Sequence, residues 1–189
     1  MTEMADVIEL GPVEEAQRLW RGAVDAHKAA SDDLVSLCES LDLGLHAAEI
    51  LVIHLLQPVK ESFPATIQAQ LHMPSPEVDP YRDGINVPKV LQFPDAIDLL
   101  SAEDLECVSP GMHRGWEDRR FACRRSRAAA REAIGVSLSA EDQQRLLLLA
   151  AYRNRLFRCP PPVRVVRSEI QAAFQSLERL MEELLEVTA

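Results

Sequence analysis

The sequence has little glycine, few aromatic residues and no long uninterrupted hydrophobic run. Its 189 residues include only 7 glycines, and Phe, Trp and Tyr together make up 5% of the chain. So little glycine disfavours a turn-rich all-β fold, and so few aromatic rings leave Leu, Val, Ile and Ala to build the core, as in packed helices. Hydrophobic residues make up 47% and charged residues 26%, which argues against wholesale disorder.

Segments that would direct the chain to or through a membrane are not evident. The first ten residues carry three acidic side chains and no basic one, and no apolar core follows them, unlike a signal or transit peptide. The most apolar stretch, residues 43–56, is too short to cross a bilayer and contains His46, Glu49 and His54. We therefore expect no membrane insertion.

The four cysteines form no C-x-x-C pair and are widely spaced. A chain of this size without a secretion signal is expected to keep its cysteines reduced in an intracellular compartment, cytoplasmic or nuclear. The cysteines are Cys38, Cys107, Cys123 and Cys159.

Motifs that carry chemistry are missing as well. G-x-S-x-G, H-E-x-x-H, Walker A and G-x-G-x-x-G are all absent. His46 and Glu49 lie three residues apart, but His54 is rotated about 80° from His46 on a helix, so the three do not converge on a metal. Cys107 and His113 lack a third group that would orient a nucleophile. We therefore expect no catalytic residue, no cofactor and no metal.

Apolar residues recur at helical spacing along most of the chain. A first helix is predicted over residues 12–30. Residues 34–41 begin a second pattern, which Asp42, Leu43 and Gly44 are expected to break or bend. Residues 45–56 are apolar on nearly every side, which is typical of a central buried helix. Further helices are predicted over residues 65–72, 101–108, 114–134 and 139–158, and over a C-terminal stretch from Val163.

A proline-rich connector separates the acidic N-terminal helices from the rest of the chain. Seven prolines lie within residues 58–95, where they exclude a long helix or a central strand. Apolar residues are interspersed among them, which favours a loop packed along the helices over a free linker. These residues are Val87, Val90, Leu91, Phe93 and Ile97.

Charge is unevenly distributed along the chain, whose net charge is −10. Residues 1–110 carry 20 acidic and 6 basic side chains, whereas residues 111–167 carry 5 acidic and 13 basic ones. One interpretation is a polyanionic partner for the basic segment. The other is that the basic segment folds back onto the acidic half and neutralises it.

The basic helix predicted at 114–134 carries an arginine stripe. Arg120, Arg124, Arg127 and Arg131 lie within about 60° of arc on a helix, so they form one continuous face. Such a face is able to follow phosphates or to dock on an acidic partner. Alternatively, it pairs with acidic residues of this chain, such as Asp95 and Asp98.

The C-terminal helix has the most regular apolar pattern of the sequence. From Val163 to Val187 its apolar residues keep a 3,4 spacing over three and a half heptads. This pattern predicts either a coiled-coil helix that binds a partner or an ordinary bundle helix with a broad apolar face. The residues proposed to contact a partner are Ile170, Phe174, Leu177, Leu180 and Leu184.

The predicted fold is all-α: an antiparallel helical bundle of five to six helices with a long Pro-rich connector. We expect a single domain over residues 1–189. Within it, residues 1–57 form the acidic helices and residues 58–110 the connector. Residues 111–189 form the basic, Leu-rich and heptad-patterned helices.

Three functions remain open at this point. The leading hypothesis is a non-catalytic adaptor or structural subunit of a larger protein assembly, bound to other subunits or to itself through the arginine stripe and the C-terminal helix. The second is a nucleic-acid-associated factor that uses the arginine stripe, although the acidic overall charge opposes nucleic acid at long range. The third is an enzyme or metal protein of the helical-bundle type.

Overall fold

The structure, a computed structural model, describes residues 10–30, 33–73, 90–102, 124–158 and 165–189. Within these ranges 82% of the residues are helical, in seven α-helices and one 3-10 helix, and there is no strand. The all-α prediction is confirmed, with more helices than the five to six expected. The helices are α1 Pro12–Ala29, α2 Leu34–Leu56, α3 Ala65–Gln68, α4 Phe93–Leu100, α5 Arg124–Ile134, α6 Ala140–Arg158 and α7 Arg167–Thr188, and a 3-10 helix spans Gln57–Ser62.

Helices α1 and α2 form an antiparallel hairpin joined by a short turn. Pro12 stands in the first turn of α1, where its missing N–H costs no hydrogen bond. Asp33 caps α2, because its carboxylate oxygens accept hydrogen bonds from Val35 N and Ser36 N at 3.0 Å each. Both helices therefore begin where the sequence predicts.

The predicted break at Gly44 is wrong, because α2 continues through it without interruption. Gly44 is needed instead for close packing. A Cβ at this position would lie 3.0 Å from Leu177 Cδ2 of α7 and 3.5 Å from the Cβ of Ala23 in α1. The absence of a side chain lets three helices approach each other at this point.

Helix α2 is the central element of the bundle. It contacts α1, α4, α5, α6 and α7, and most of its residues between Leu37 and Leu56 are buried. One cluster of buried apolar residues draws members from every α-helix. The prediction of one domain over residues 1–189 stays a prediction, because residues 74–89 and 103–123 lie outside the described part of the chain.

The connector contains a helix that the sequence interpretation missed. Helix α4 begins at Phe93 with Pro94 in its first turn, and Phe93 and Ile97 are fully buried. Beyond it, Ala102 N donates to Leu138 O at 3.0 Å, and Leu138 N donates to Leu100 O at 2.9 Å. Residues 101 and 102 therefore form a main-chain bridge. The helix predicted over residues 101–108 stays a prediction, because residues 103–108 lie outside the described ranges.

The C-terminal half follows its predicted pattern closely. Helix α5 is described from Arg124 and ends before Gly135, which adopts a φ of +78°. Ser139 caps α6, because its Oγ accepts a hydrogen bond from Asp142 N at 3.1 Å. Asp142 in turn accepts hydrogen bonds from Ser176 Oγ, at 2.8 Å, and from Arg179, which joins α6 to α7.

Candidate binding surfaces

The apolar stripe of α7 lies inside the bundle. The five residues predicted to contact a partner are between 0% and 2% exposed: Ile170, Phe174, Leu177, Leu180 and Leu184. The Phe174 ring stacks on His27 and Trp20 of α1, with centroid distances of 3.8 and 5.7 Å. A partner would therefore reach this stripe only by displacing other helices of this chain.

The arginine stripe of α5 divides between the interior and the surface. Arg127 is only 5% exposed, and its Nη1 lies 3.3 Å from Asp98 Oδ1 of α4. Arg131 Nη1 donates a hydrogen bond to the carbonyl oxygen of Ser101. Arg124 is exposed, whereas Arg120 lies outside the described residues. Two of the four predicted residues are thus directed at the end of α4.

Basic and acidic halves of the chain meet in the interior. Besides the pair of Arg127 with Asp98, Arg153 of α6 lies 3.8 Å from Glu49 of α2. Both acids belong to the N-terminal 110 residues and both bases to the segment with excess positive charge. This pairing agrees with the interpretation in which the basic segment neutralises part of the acidic half.

Glu49 is a buried carboxylate that caps α4. Its Oε1 accepts a hydrogen bond from Phe93 N at 2.7 Å, at a helix start where Gln92 provides no side-chain cap. Its Oε2 lies 3.2 Å from His46 Nδ1, a hydrogen bond that raises the pKa of His46. A carboxylate is favoured there because it meets free N–H groups and the positive end of the helix dipole. Among the described residues no group of three His, Cys, Asp or Glu side chains is placed to hold a metal ion.

A groove opens at the end of the bundle where the α1–α2 turn meets the start of α7. We call it the turn groove, and its volume is about 580 Å³. Leu34 of α2, which lines it, is 53% exposed; the next residue, Val35, is 73% exposed, and Val166, which precedes α7, is 47% exposed. Its lining residues are His27, Lys28, Ala30, Asp33, Leu34, Leu37, Val165, Arg167, Ile170 and Gln171.

Among the described lining residues of the turn groove, two basic side chains accompany one acidic side chain. Lys28 and Arg167 are exposed on its α1 and α7 sides. Asp33 is the acidic lining residue, and hydrogen bonds from the Ser36 side chain and from the Val35 and Ser36 amides lower its pKa. Burial lowers the pKa of His27, so a neutral imidazole lies at the base of the groove.

The α7 side of the turn groove is held by a buried tyrosine. Tyr152 of α6 donates a hydrogen bond to Glu169 Oε2 at 2.9 Å, and its hydroxyl accepts one from Val166 N at 3.4 Å. Burial raises the pKa of Tyr152, so the hydroxyl remains a donor at neutral pH. The groove is thus bounded by hydrogen-bonded elements on both sides.

Three arginines line a second, smaller cavity between α4 and α5. Arg124, Arg127 and Arg131 surround a volume of about 340 Å³ together with Ala102. The main-chain bridge between Leu138 and residues 100–102 fixes the wall to which Ala102 belongs. The sequence pattern places these arginines on one helix face, and the structure adds that the face borders a cavity.

Sequence reasoning missed the turn groove, although one signal for it was present. Val35 occupies the same helix face as Glu39 and Asp42, at spacings of four and seven residues, and both of these are exposed. An apolar residue on a polar face indicates an exposed hydrophobic site. No such local signal indicates that Glu49 caps α4, because the start of α4 lies 44 residues further along the chain.

Two findings concern the molecule as a whole. The helices in the described ranges are too short or too polar to traverse a lipid bilayer. No protein-family model, no curated protein and no solved structure matches this chain.

The cysteine of the described ranges, Cys38, is a free thiol whose pKa is raised by burial.

Proposed function

We propose that this chain is a non-catalytic helical subunit that binds a partner protein in the turn groove. The observation that carries the proposal is the grouping of exposed apolar side chains. Of the five large hydrophobic residues exposed within the described ranges, Leu34 lines this groove, and Val35 and Val166 are sequence neighbours of its lining residues Leu34, Val165 and Arg167. Single exposed hydrophobic residues are ordinary, whereas a contiguous apolar patch rimmed by polar residues is typical of a protein-binding site.

The charges of the turn groove favour an amphipathic helix that carries acidic side chains. Lys28 and Arg167 lie on its two sides, while the carboxylate of Asp33 is engaged at the start of α2. The chain as a whole is acidic, but charges interact over only about 8 Å at physiological ionic strength. The charge of the groove itself, to which the exposed Lys28 contributes, therefore decides which partner charge is attracted.

The shape of the site is compatible with such a partner. An amphipathic helix binds by laying its apolar face into a hydrophobic groove, with anchors about one turn apart. Leu34, Leu37 and Ile170 supply the apolar floor and wall of the turn groove. In this proposal the apolar stripe of α7 packs against the other helices of this chain. The partner binds at the end of the bundle where α7 begins.

The test is purification of the tagged chain from its native cells, followed by size exclusion with light scattering. The double variant Val35→Asp/Val166→Asp places a carboxylate beside the lining residues Leu34, Val165 and Arg167 without touching the core. The matched control is Val187→Asp, because Val187 is 46% exposed at the C-terminal end of α7. We expect the wild type and the control to carry a second protein and the double variant to lose it.

Either of two results would reject the proposal. One is a wild-type chain that migrates as a bare monomer, and the other is a partner retained equally by the double variant. A complex that contains only copies of this chain would show that the chain associates with itself and does not bind an acidic helix of another protein. A raised absorbance at 260 nm would instead support the nucleic-acid hypothesis.

The acidic character of the partner has its own test. Lys28→Glu reverses one of the two basic charges and leaves the apolar surface unchanged. We expect it to weaken binding of the co-purified partner several-fold and to reduce the salt dependence of that binding. Unchanged affinity would show that the partner is not recognised by its charge.

A further inference from the structure

The cavity between α4 and α5 concentrates positive charge that the described residues compensate only in part. Arg127 pairs with Asp98, which balances one of the three guanidinium charges. Arg131 bonds to the carbonyl of Ser101, which is a neutral acceptor and leaves the charge in place. Arg124 forms no hydrogen bond or ion pair with the residues that the structure describes. Among the lining residues that the structure describes, two positive charges are therefore in excess.

The arginines are also held in position before any ligand arrives. Asp98 anchors Arg127, and Ser101 anchors Arg131, so two of the three side chains are fixed by the end of α4. The bridge of Ala102 and Leu100 to Leu138 fixes that end relative to the segment after α5. Arginines ordered in this way lose little conformational entropy when they bind an anion.

We infer that this cavity binds a small molecule that carries two adjacent phosphate groups. A guanidinium recognises phosphate through paired N–H donors, which makes arginine the preferred residue for this group. Arg124 and Arg131 are seven residues apart, about 10.5 Å along the helix axis, so a diphosphate reaches both more readily than a single phosphate. The volume of about 340 Å³ suits a small ligand.

The structure supplies a matched pair of variants for the test. Arg124 lines the cavity, whereas its neighbour Arg125 does not, and both side chains are exposed on α5. Arg124→Gln and Arg125→Gln change the net charge equally and leave the anchored arginines intact. A difference between them therefore reports the cavity and not the general electrostatics of the helix.

The experiment is isothermal titration of the full chain with inorganic pyrophosphate at constant ionic strength. We expect one site per chain, an affinity at least 10-fold weaker in Arg124→Gln, and a change below 2-fold in Arg125→Gln. Inorganic phosphate should bind more weakly than pyrophosphate, because it cannot reach both ends of the cavity. The Val35→Asp/Val166→Asp variant should bind pyrophosphate like the wild type, since the turn groove is a separate site.

Three results would overturn the inference. The first is no binding of pyrophosphate to the wild type at millimolar concentration. The second is an equal loss of affinity in Arg124→Gln and Arg125→Gln, which indicates nonspecific attraction to a basic helix. The third is phosphate binding as tightly as pyrophosphate, which removes the two-phosphate requirement.

Discussion

Helices α7 and α5 carry the two most regular patterns of the sequence, yet the structure uses them differently. The apolar stripe of α7 is buried from Ile170 to Leu184 by helices of the same chain. The arginine stripe of α5 is split, with Arg127 buried against Asp98 and Arg124 exposed. A periodic pattern shows that residues share a face, but what covers that face depends on the elements around it.

The difference follows from the energies of the two kinds of side chain. Burial of a Leu or Phe stabilises the fold by about 1.5–3 kcal/mol without any specific partner, so an apolar stripe is covered by whichever apolar face lies near. A guanidinium is buried at low cost only where it finds a hydrogen-bond acceptor or an opposite charge. Asp98 and Ser101 provide such positions for Arg127 and Arg131. Arg124, the third arginine of the stripe that the structure describes, stays exposed to solvent.

The largest predicted effect tests the burial of the α7 stripe. Phe174→Ala removes the ring that stacks on His27 and Trp20, and it leaves a cavity between α1 and α7. We expect a loss of about 3–5 kcal/mol in the free energy of unfolding, measured by urea denaturation. Gln175→Ala, on the exposed face of the next position, should change it by less than about 0.5 kcal/mol. A loss below about 1 kcal/mol for Phe174→Ala would mean that this stripe is not the core of the bundle.

An intermediate effect is predicted within the arginine stripe. Arg127→Gln breaks the buried pair with Asp98 and leaves its carboxylate without this cation, so the free energy of unfolding should fall by about 1–3 kcal/mol. Arg124→Gln removes the same charge from an exposed position and should change stability by less than about 0.5 kcal/mol. Urea denaturation of the two variants side by side measures the contrast. Equal losses would show that the stripe acts as one surface.

The smallest effect concerns two histidines whose pKa values shift in opposite directions. Burial against Phe174 lowers the pKa of His27, so its contribution to stability is present above the unfolded pKa near 6.5 and is lost as pH falls through the folded value. The hydrogen bond to Glu49 raises the pKa of His46, so its contribution is present below that unfolded pKa and is lost as pH rises through the folded value.

Unfolding free energies at pH 5 and pH 8 distinguish the two histidines. Relative to the wild type, His27→Gln should gain stability on acidification and His46→Gln should lose it. Both changes should be smaller than the effect of Arg127→Gln, because both rings are only partly buried. Shifts of the same sign in the two variants would contradict the assigned environments.

Much of the fold could be predicted from the sequence because helical periodicity is local. The starts of α1, α2 and α6 follow from Pro12, Asp33 and Ser139, whose capping roles depend on neighbouring residues only. Helix α4 is not evident from the sequence, because proline disfavours a helix at every position except its first turn, which is where Pro94 lies.

The binding surfaces could not be predicted to the same extent, because they depend on contacts distant in sequence. Arg127 turns inward for a carboxylate 29 residues away, and Glu49 caps a helix 44 residues away. The turn groove combines residues near position 30 with residues near position 167. Neither periodicity nor composition indicates which of these distant residues meet.

The most direct test of the central claim is amide hydrogen exchange of the chain with and without its co-purified partner. The turn groove is proposed to hold the partner, while the α7 stripe belongs to the core of the bundle. We therefore predict added protection at residues 27–37 and 165–171 and unchanged exchange at residues 177–184, which are already protected in the free chain. Added protection confined to α5, or protection at 177–184 that appears only in the complex, would contradict this account.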